Sequence, residues 1–298
     1  MSLAKKIAYN REQSEKYEWL PEWFGANDFD EEMVNKIKEF QISQGLSADG
    51  MCGPSTYRRI WTERASEIQN DAEEKYIVHN SQKVKIHWDK VILWNERGGQ
   101  ESKRGNYRSQ SGLIDRKPRM FVTHWDVCLS SKSCASVLNR RGLSVHYLID
   151  NDGTIFQCLD TQHIAYHAGS KNKLSIGVEI SNAYSLKYQS WYKNRGFGPR
   201  PIWKDVKVHG KGLKPFLGFY DIQLKALAAL WEAISRACDI PLQIPNEPEG
   251  YSGVSQAVVH GTFSGFGCHY HITKRKIDCA GLNLANVLKE AKELKEEC

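Results

Sequence analysis

No stretch of this chain approaches the roughly 18 consecutive apolar residues of a membrane-spanning helix, so membrane insertion is not expected. The first twenty residues, MSLAKKIAYNREQSEKYEWL, hold no continuous apolar core, which speaks against a secretory signal. The eight cysteines (52, 128, 134, 158, 238, 268, 279 and 298) form no CxxC pair. Synthesis in a reducing compartment and mostly free thiols are expected, with a Cys128–Cys134 bridge left open. A strong excess of one charge is missing too, since 41 Lys and Arg face 35 Asp and Glu, for a net charge of +6. An anionic partner is mildly favoured, and cell-wall polymer, acidic lipid and nucleic acid all fit that balance. With 41% hydrophobic and 26% charged residues over 298 positions, the composition is that of one large or two smaller globular domains.

The helical stretch near Glu63–Lys75 separates two regions, and we place the boundaries at 1–70, a linker at 71–84, and 85–298. In the first region a helix is expected from Leu3 to Tyr17, before Pro21 and Gly25 break the pattern. A second begins near Asp30, with acids in its first turn and Met33, Ile37 and Phe40 at helical spacing. Gly45 ends it, and Pro54 suits the first turn of a third helix carrying Tyr57, Ile60 and Trp61. The second region mixes strands and helices. Met120–Thr123 reads as a strand delivering His124, and Val145–Ile149 and Thr154–Leu159 flank the turn signal Asn151-Asp152-Gly153. Ile176–Ile180 is a further strand, Asp221 is placed to cap a helix running to Cys238, and Leu282–Glu297 reads as an amphipathic helix. The expected fold class is α/β, with a mixed central sheet flanked by helices and preceded by a small three-helix bundle.

The chemistry-bearing residues are scattered over the second half. His124, His269 and Asp278 offer two imidazoles and a carboxylate, with Glu179 and Lys276 to spare. Three N/O ligands and one open position are what a catalytic zinc ion requires. His79, His87, His163 and His209 have no supporting context.

The first region resembles the peptidoglycan-binding type 1 module through Phe40-Gln41, Gly45-Leu46, Asp49-Gly50, Gly53-Pro54 and Thr56. Roughly residues 119–295 resemble the type 2 N-acetylmuramoyl-L-alanine amidases, a family that includes phage endolysins, bacterial recycling amidases and animal peptidoglycan-recognition proteins. The matching segments occur in family order: Phe121-Val122-Thr123-His124, Ser144 to Ile149 with Asp152-Gly153-Thr154-Ile155, Ala165 to Gly169, Ser175 to Glu179, and His269 to Asp278.

That resemblance implies Zn2+ on His124, His269 and Asp278, Glu179 as general base, and Lys276 stabilising the oxyanion. His167, Trp125 and Asn182 are implied as substrate contacts, whereas His146 reads as a packed strand histidine. Phe40, Gln41, Asp49, Gly50 and Thr56 mark the wall-binding module. Cys279 rivals Asp278 as third ligand; His271 and His260 are weaker alternatives to the chosen set. One subgroup carries a catalytic Tyr before the strand histidine and lacks the strand Glu. Here Val145 holds that position and Glu179 is present, which implies the Glu-dependent version.

The implied function is zinc-dependent cleavage of the amide between N-acetylmuramic acid and L-alanine by a modular phage endolysin. The chain would be made in the host cytoplasm, act as a monomer, and reach peptidoglycan after holin-type release. The alternatives are a non-catalytic peptidoglycan-recognition protein and a bacterial autolysin or recycling amidase. Tyr184–Tyr220 is aromatic and basic, and fits either a sugar-stacking surface or an insertion packing its own rings. It also resembles single-strand nucleic-acid surfaces, but nothing else supports such a partner.

Overall fold

A computed structural model describes residues 1–70, 74–110, 116–246 and 252–296. The expected linker positions 71–73, the helix end at Glu297 and Cys298 lie outside the described residues. The chain divides into two compact units, Met1–Glu73 and Glu74–Cys298. No helix among the described residues is long and apolar enough to cross a membrane.

The first unit contains α1 (Leu3–Tyr17), a 3-10 turn at Pro21–Phe24, α2 (Glu31–Ser43) and α3 (Pro54–Asn70). Asp30 caps α2 by accepting a hydrogen bond from the Met33 backbone N–H. Trp19, Met33, Ile37, Cys52 and Ile60 form the core, with Phe40 and Tyr57 at its edge. The signature residues of this unit are bonded to one another. The Gln41 side-chain amide donates to Asp49 (2.8 Å), Met51 O (3.0 Å) and Thr56 (3.1 Å), while its oxygen accepts from Gly50 N–H (2.8 Å). Gly50 has φ +72°, and a β-carbon there would lie 2.7 Å from Val34. Gln41, Asp49, Gly50 and Thr56 thus shape the α2–α3 connection from within.

The second unit opens with a hairpin of β1 (Tyr76–His79) and β2 (Gln82–Lys85). These strands occupy most of the span expected as a linker, and the fully buried Ile77 ties them into the main core of this unit. Next come β3 (Val91–Leu93), β4 (Tyr107–Arg108), β5 (Met120–Trp125), α4 (Ser131–Arg140), β6 (Tyr147–Ile149), β7 (Ile155–Gln157), β8 (Ile164–Ala165) and β9 (Ser175–Ile180). The segment 184–220 holds α5 (Gln189–Asn194) and short strands β10 (Ile202–Trp203), β11 (Lys207–Val208), β12 (Lys211–Gly212) and β13 (Phe216–Leu217). The remaining elements are α6 (Asp221–Cys238), α7 (Gln256–His260), β14 (Gly265–Cys268) and α8 (Leu284–Glu296). Tyr220 holds the N-cap position of α6, one place earlier than the expected cap, and Asp221 is the first helical residue.

The central sheet runs β14-β5-β9-β6-β7-β3. Its first four strands are parallel, and β6–β7 is the antiparallel hairpin expected at Asn151-Asp152-Gly153. All six residues of β5 are buried, as a strand covered on both faces requires. Phe121, Ile176, Val178, Ile180, Tyr147 and Ile149 pack with Leu227, Trp231 and Ile234 of α6 and with Val287 of α8. On the other face, Leu148 and Val145 pack with Cys134 and Ala135 of α4. The two-residue period of the strands then sends Val122 and His124, and Ser175, Gly177 and Glu179, to the face opposite α6.

The 184–220 segment packs its own rings. Tyr192 is fully buried and Phe216 nearly so. Arg200, 2% exposed, is clamped between the Tyr192 and Tyr220 rings and donates to Gly218 O (2.8 Å), Ser181 O (2.7 Å), Gln223 (3.2 Å) and Asn151. Replacing Arg200 with Ala leaves these buried acceptors unpaired, so we expect a loss of roughly 3 kcal/mol or more. A lowered urea midpoint for the second unit reports it, and an unchanged midpoint would refute the clamp.

Candidate active site

The parallel register assembles the site. His124, the last residue but one of β5, lies directly beside Glu179 of β9, and Cys268 of β14 pairs with Thr123, so that His269 follows at the level of His124. These are the C-terminal ends of parallel strands, where backbone paths diverge and leave a crevice. The cleft there has a volume of about 610 Å³, and its walls include His124, Glu179, His269, Lys276, Asp278 and His167.

His124 and His269 aim their Nδ1 atoms at the same oxygen, Oδ2 of Asp278, at 3.0 and 3.1 Å. Their rings meet edge to face with centroids 4.5 Å apart. Burial, reinforced by the neighbouring His269, depresses the His124 pKa to about 4 and keeps the imidazole neutral. Burial also opposes charge on Asp278, but hydrogen bonds from both histidines outweigh it and hold the carboxyl well below the usual range. Two neutral imidazoles and one carboxylate make a donor set suited to zinc. Their ligand atoms lie within 4.8 Å of one another, close enough for a single ion to reach all three.

Glu179 is held in the opposite state. Burial first, then the nearby Asp278 and Asp126, push its pKa well above the ordinary carboxylate value, while Lys276 pulls it back. Its Oε2 is buried and has no hydrogen-bond partner among the described residues. A carboxylate so placed gains from any proton or cation that enters the cleft.

His167 stands behind His124. Its Nδ1 lies 3.0 Å from His124 Nε2, and its Nε2 lies 3.3 Å from Ser175 Oγ, which donates to Lys171 O at 2.8 Å. One tautomer set satisfies the whole chain. Were His124 Nδ1 to hold a metal in place of its hydrogen bond to Asp278, His124 Nε2–H would donate to His167 Nδ1, and His167 Nε2–H to Ser175. Gly177 makes room for this, because a β-carbon there would sit 2.5 Å from His167 Nδ1. The motif containing His167 was visible in the sequence, but its contact with His124 needed the fold.

Other expected residues fall elsewhere. Trp125 borders the cleft, yet its indole packs against Tyr184 (5.0 Å) and Phe216 (5.4 Å). Asn182 is fully buried, donating to Leu217 O (2.7 Å) and accepting from Tyr184 N–H (2.9 Å), and it is not among the cleft walls. Cys279 lies in the main core outside the His124–His269–Asp278 group. His271 accepts from Cys268 N–H (2.9 Å), and His260 is exposed at the end of α7. His146 is fully buried, accepting from Gly177 N–H (3.0 Å). No residue of 184–220 is among the cleft walls. Cys128 and Cys134 are free thiols, grouped with Asp126 at the cleft rim.

The family model for N-acetylmuramoyl-L-alanine amidase matches residues 114–279. A model for a peptidoglycan binding domain matches residues 25–60. No curated protein matches the chain. Among solved structures, the endolysin N-acetylmuramoyl-L-alanine amidase LysCS from Clostridium intestinale URNW aligns with 69% of this chain and 97% of its own, at 13% identity and TM-score 0.39. The N-acetylmuramyl-L-alanine amidase AmiD from E. coli, solved with anhydro-N-acetylmuramic acid-L-Ala-D-gamma-Glu-L-Lys, aligns over 65% of this chain and 66% of its own. Its identity is 20% and its TM-score 0.39.

Because His167 orients His124, we expect His167→Ala to weaken zinc binding by about 10- to 100-fold, and Asp278→Asn to weaken it further. Competition against a zinc-sensitive dye measures both, and wild-type affinity in His167→Ala would remove the positioning role.

Proposed function

The chain belongs to the N-acetylmuramoyl-L-alanine amidase family, whose model covers residues 114–279, and from that membership we propose a zinc-dependent amidase with its own wall-binding module. It is an amidase, and peptidoglycan is its partner. The bond we assign to it is the lactyl amide between N-acetylmuramic acid and the first L-alanine of the stem peptide. The observation that carries this reading is the convergence of His124 and His269 on Asp278 in a cleft shared with the unpartnered carboxylate of Glu179.

Zinc held by His124, His269 and Asp278 would supply Lewis-acid chemistry, polarising a carbonyl oxygen and acidifying water. The protein's part is proton and charge management. Glu179 takes a proton from the attacking water as its oxygen joins the carbonyl carbon. When the C–N bond breaks, the same carboxyl returns that proton to the departing alanine nitrogen. Its raised pKa suits both halves, since a more basic carboxylate accepts more readily near neutral pH. The Lys276 ammonium, also in the cleft, offsets the negative charge that builds on the carbonyl oxygen. The Met1–Glu73 unit serves as a tether that raises the local concentration of polymer at the catalytic unit. Pairing of wall recognition and amide hydrolysis in one chain supports a phage-type endolysin.

On purified peptidoglycan the protein should release stem peptides bearing a new free amine, without new reducing sugar ends. Glu179→Ala should slow this about 10²- to 10⁴-fold, and Lys276→Ala by the equivalent of about 2–4 kcal/mol. A chelator should stop it. Activity indifferent to both chelator and Glu179→Ala, or new reducing ends in place of amines, would sink the zinc-amidase reading. Removing residues 1–73 should weaken sedimentation with insoluble wall while sparing cleavage of soluble muropeptides. Undiminished sedimentation would end the case for a targeting module.

A further inference from the structure

In the first unit, Tyr57, Trp61 and Arg64 recur at helical spacing along α3, beside the buried stripe of Thr56 and Ile60. Trp61 is 53% exposed and takes no part in the buried core of this unit. An indole left in water on a short bundle is not explained by folding, which gains from burying large apolar surface.

Nor does the indole stand alone. Tyr17 stacks on Tyr57 with centroids 4.8 Å apart and planes 20° apart. Tyr57 lies 6.1 Å from Trp61, and Trp61 lies 5.7 Å from Trp23. The four rings form a continuous run, and each keeps part of its surface exposed. A cation closes each end, with Lys16 Nζ 5.2 Å from the Tyr17 centroid and the Arg64 guanidinium carbon 5.0 Å from a Trp23 ring centroid. Only Tyr57 falls inside the segment 25–60 matched by the peptidoglycan binding domain model.

We propose that Tyr17, Tyr57, Trp61 and Trp23 form a stacking surface for the glycan strand of peptidoglycan. Hexose rings present flat C–H faces and polar rims, which suits them to a row of aromatic faces with hydrogen-bonding groups at its margins. Peptidoglycan also carries stem-peptide carboxylates, and the cations at the two ends of the row complement them. Membrane lipid would ask for a broad apolar face instead of a row of rings bounded by charge. The inference rests on the reading of this unit as a wall-binding module and names the surface through which it binds.

The test uses the full chain carrying Glu179→Ala, so that the polymer stays intact, and measures sedimentation with insoluble peptidoglycan. Adding Trp61→Ala should weaken binding about tenfold or more, as expected for an aromatic anchor. Trp61→Phe, which keeps a ring, should weaken it less. An unchanged melting temperature for Trp61→Ala would show that the exposed indole can be removed without unfolding. As a second readout without that substitution, soluble peptidoglycan fragments should shield tryptophan fluorescence from acrylamide quenching. Equal sedimentation by folded Trp61→Ala, or quenching unaffected by the fragments, would overturn the proposal. If the parent chain failed to sediment at all, the module reading would fall and this surface with it.

Discussion

A slip of one residue between Met120–Trp125 and Ser175–Ile180 would send His124 and Glu179 to opposite faces of the sheet. The parallel register that prevents this is enforced from the apolar side. Phe121, Ile176, Val178 and Ile180 lock against Leu227, Trp231 and Ile234, and the alternate positions then have nowhere to go but the cleft. The third strand, Gly265–Cys268, joins in the same direction and sets His269 beside His124. Ligand placement is therefore a by-product of core packing, and the loop from Thr273 to Asp278 has only to return one carboxylate.

The same arrangement sorts charge. Asp278 and Glu179 sit in one cleft, and their surroundings drive them apart. Asp278 receives two imidazole donors and stays ionised, while burial and the neighbouring Asp278 and Asp126 outweigh the pull of Lys276 on Glu179, which binds its proton more tightly. One carboxylate is thus fitted to hold a cation and the other to carry a proton. Neither role follows from residue type, and both follow from which neighbours the strands deliver.

Much of this was legible in the chain because strands and turns leave local marks. Apolar Met120–Thr123 running into a histidine, Asn-Asp-Gly between two β-rich runs, and the stripe from Leu224 to Ile234 each point to an element that the structure contains. Residues whose role depends on distant partners were harder to read. The family resemblance implies Asn182 as a substrate contact, and its amide serves Leu217, 35 positions away. Gln41, Asp49 and Thr56 read as marks of a binding module, and they turn out to hold each other. Arg200 gave no sign that it would anchor an entire insertion, because its acceptors come from four separate parts of the chain. The hairpin at Tyr76–Lys85 overlaps the 71–84 span expected as a linker, since four-residue strands with charged exposed positions carry little periodic signal.

Gly177 has a consequence beyond conformational freedom. Its backbone is ordinary strand, and what matters is the bare Cα against which the His167 ring rests. Alanine or serine at this position would be a trivial exchange on most strands. Here either would lift an imidazole off the sheet and break the proton order running from His124 to Ser175. Nothing polar at residue 177 reveals this, and the absence of mass at one carbon fixes where the imidazole behind His124 can lie.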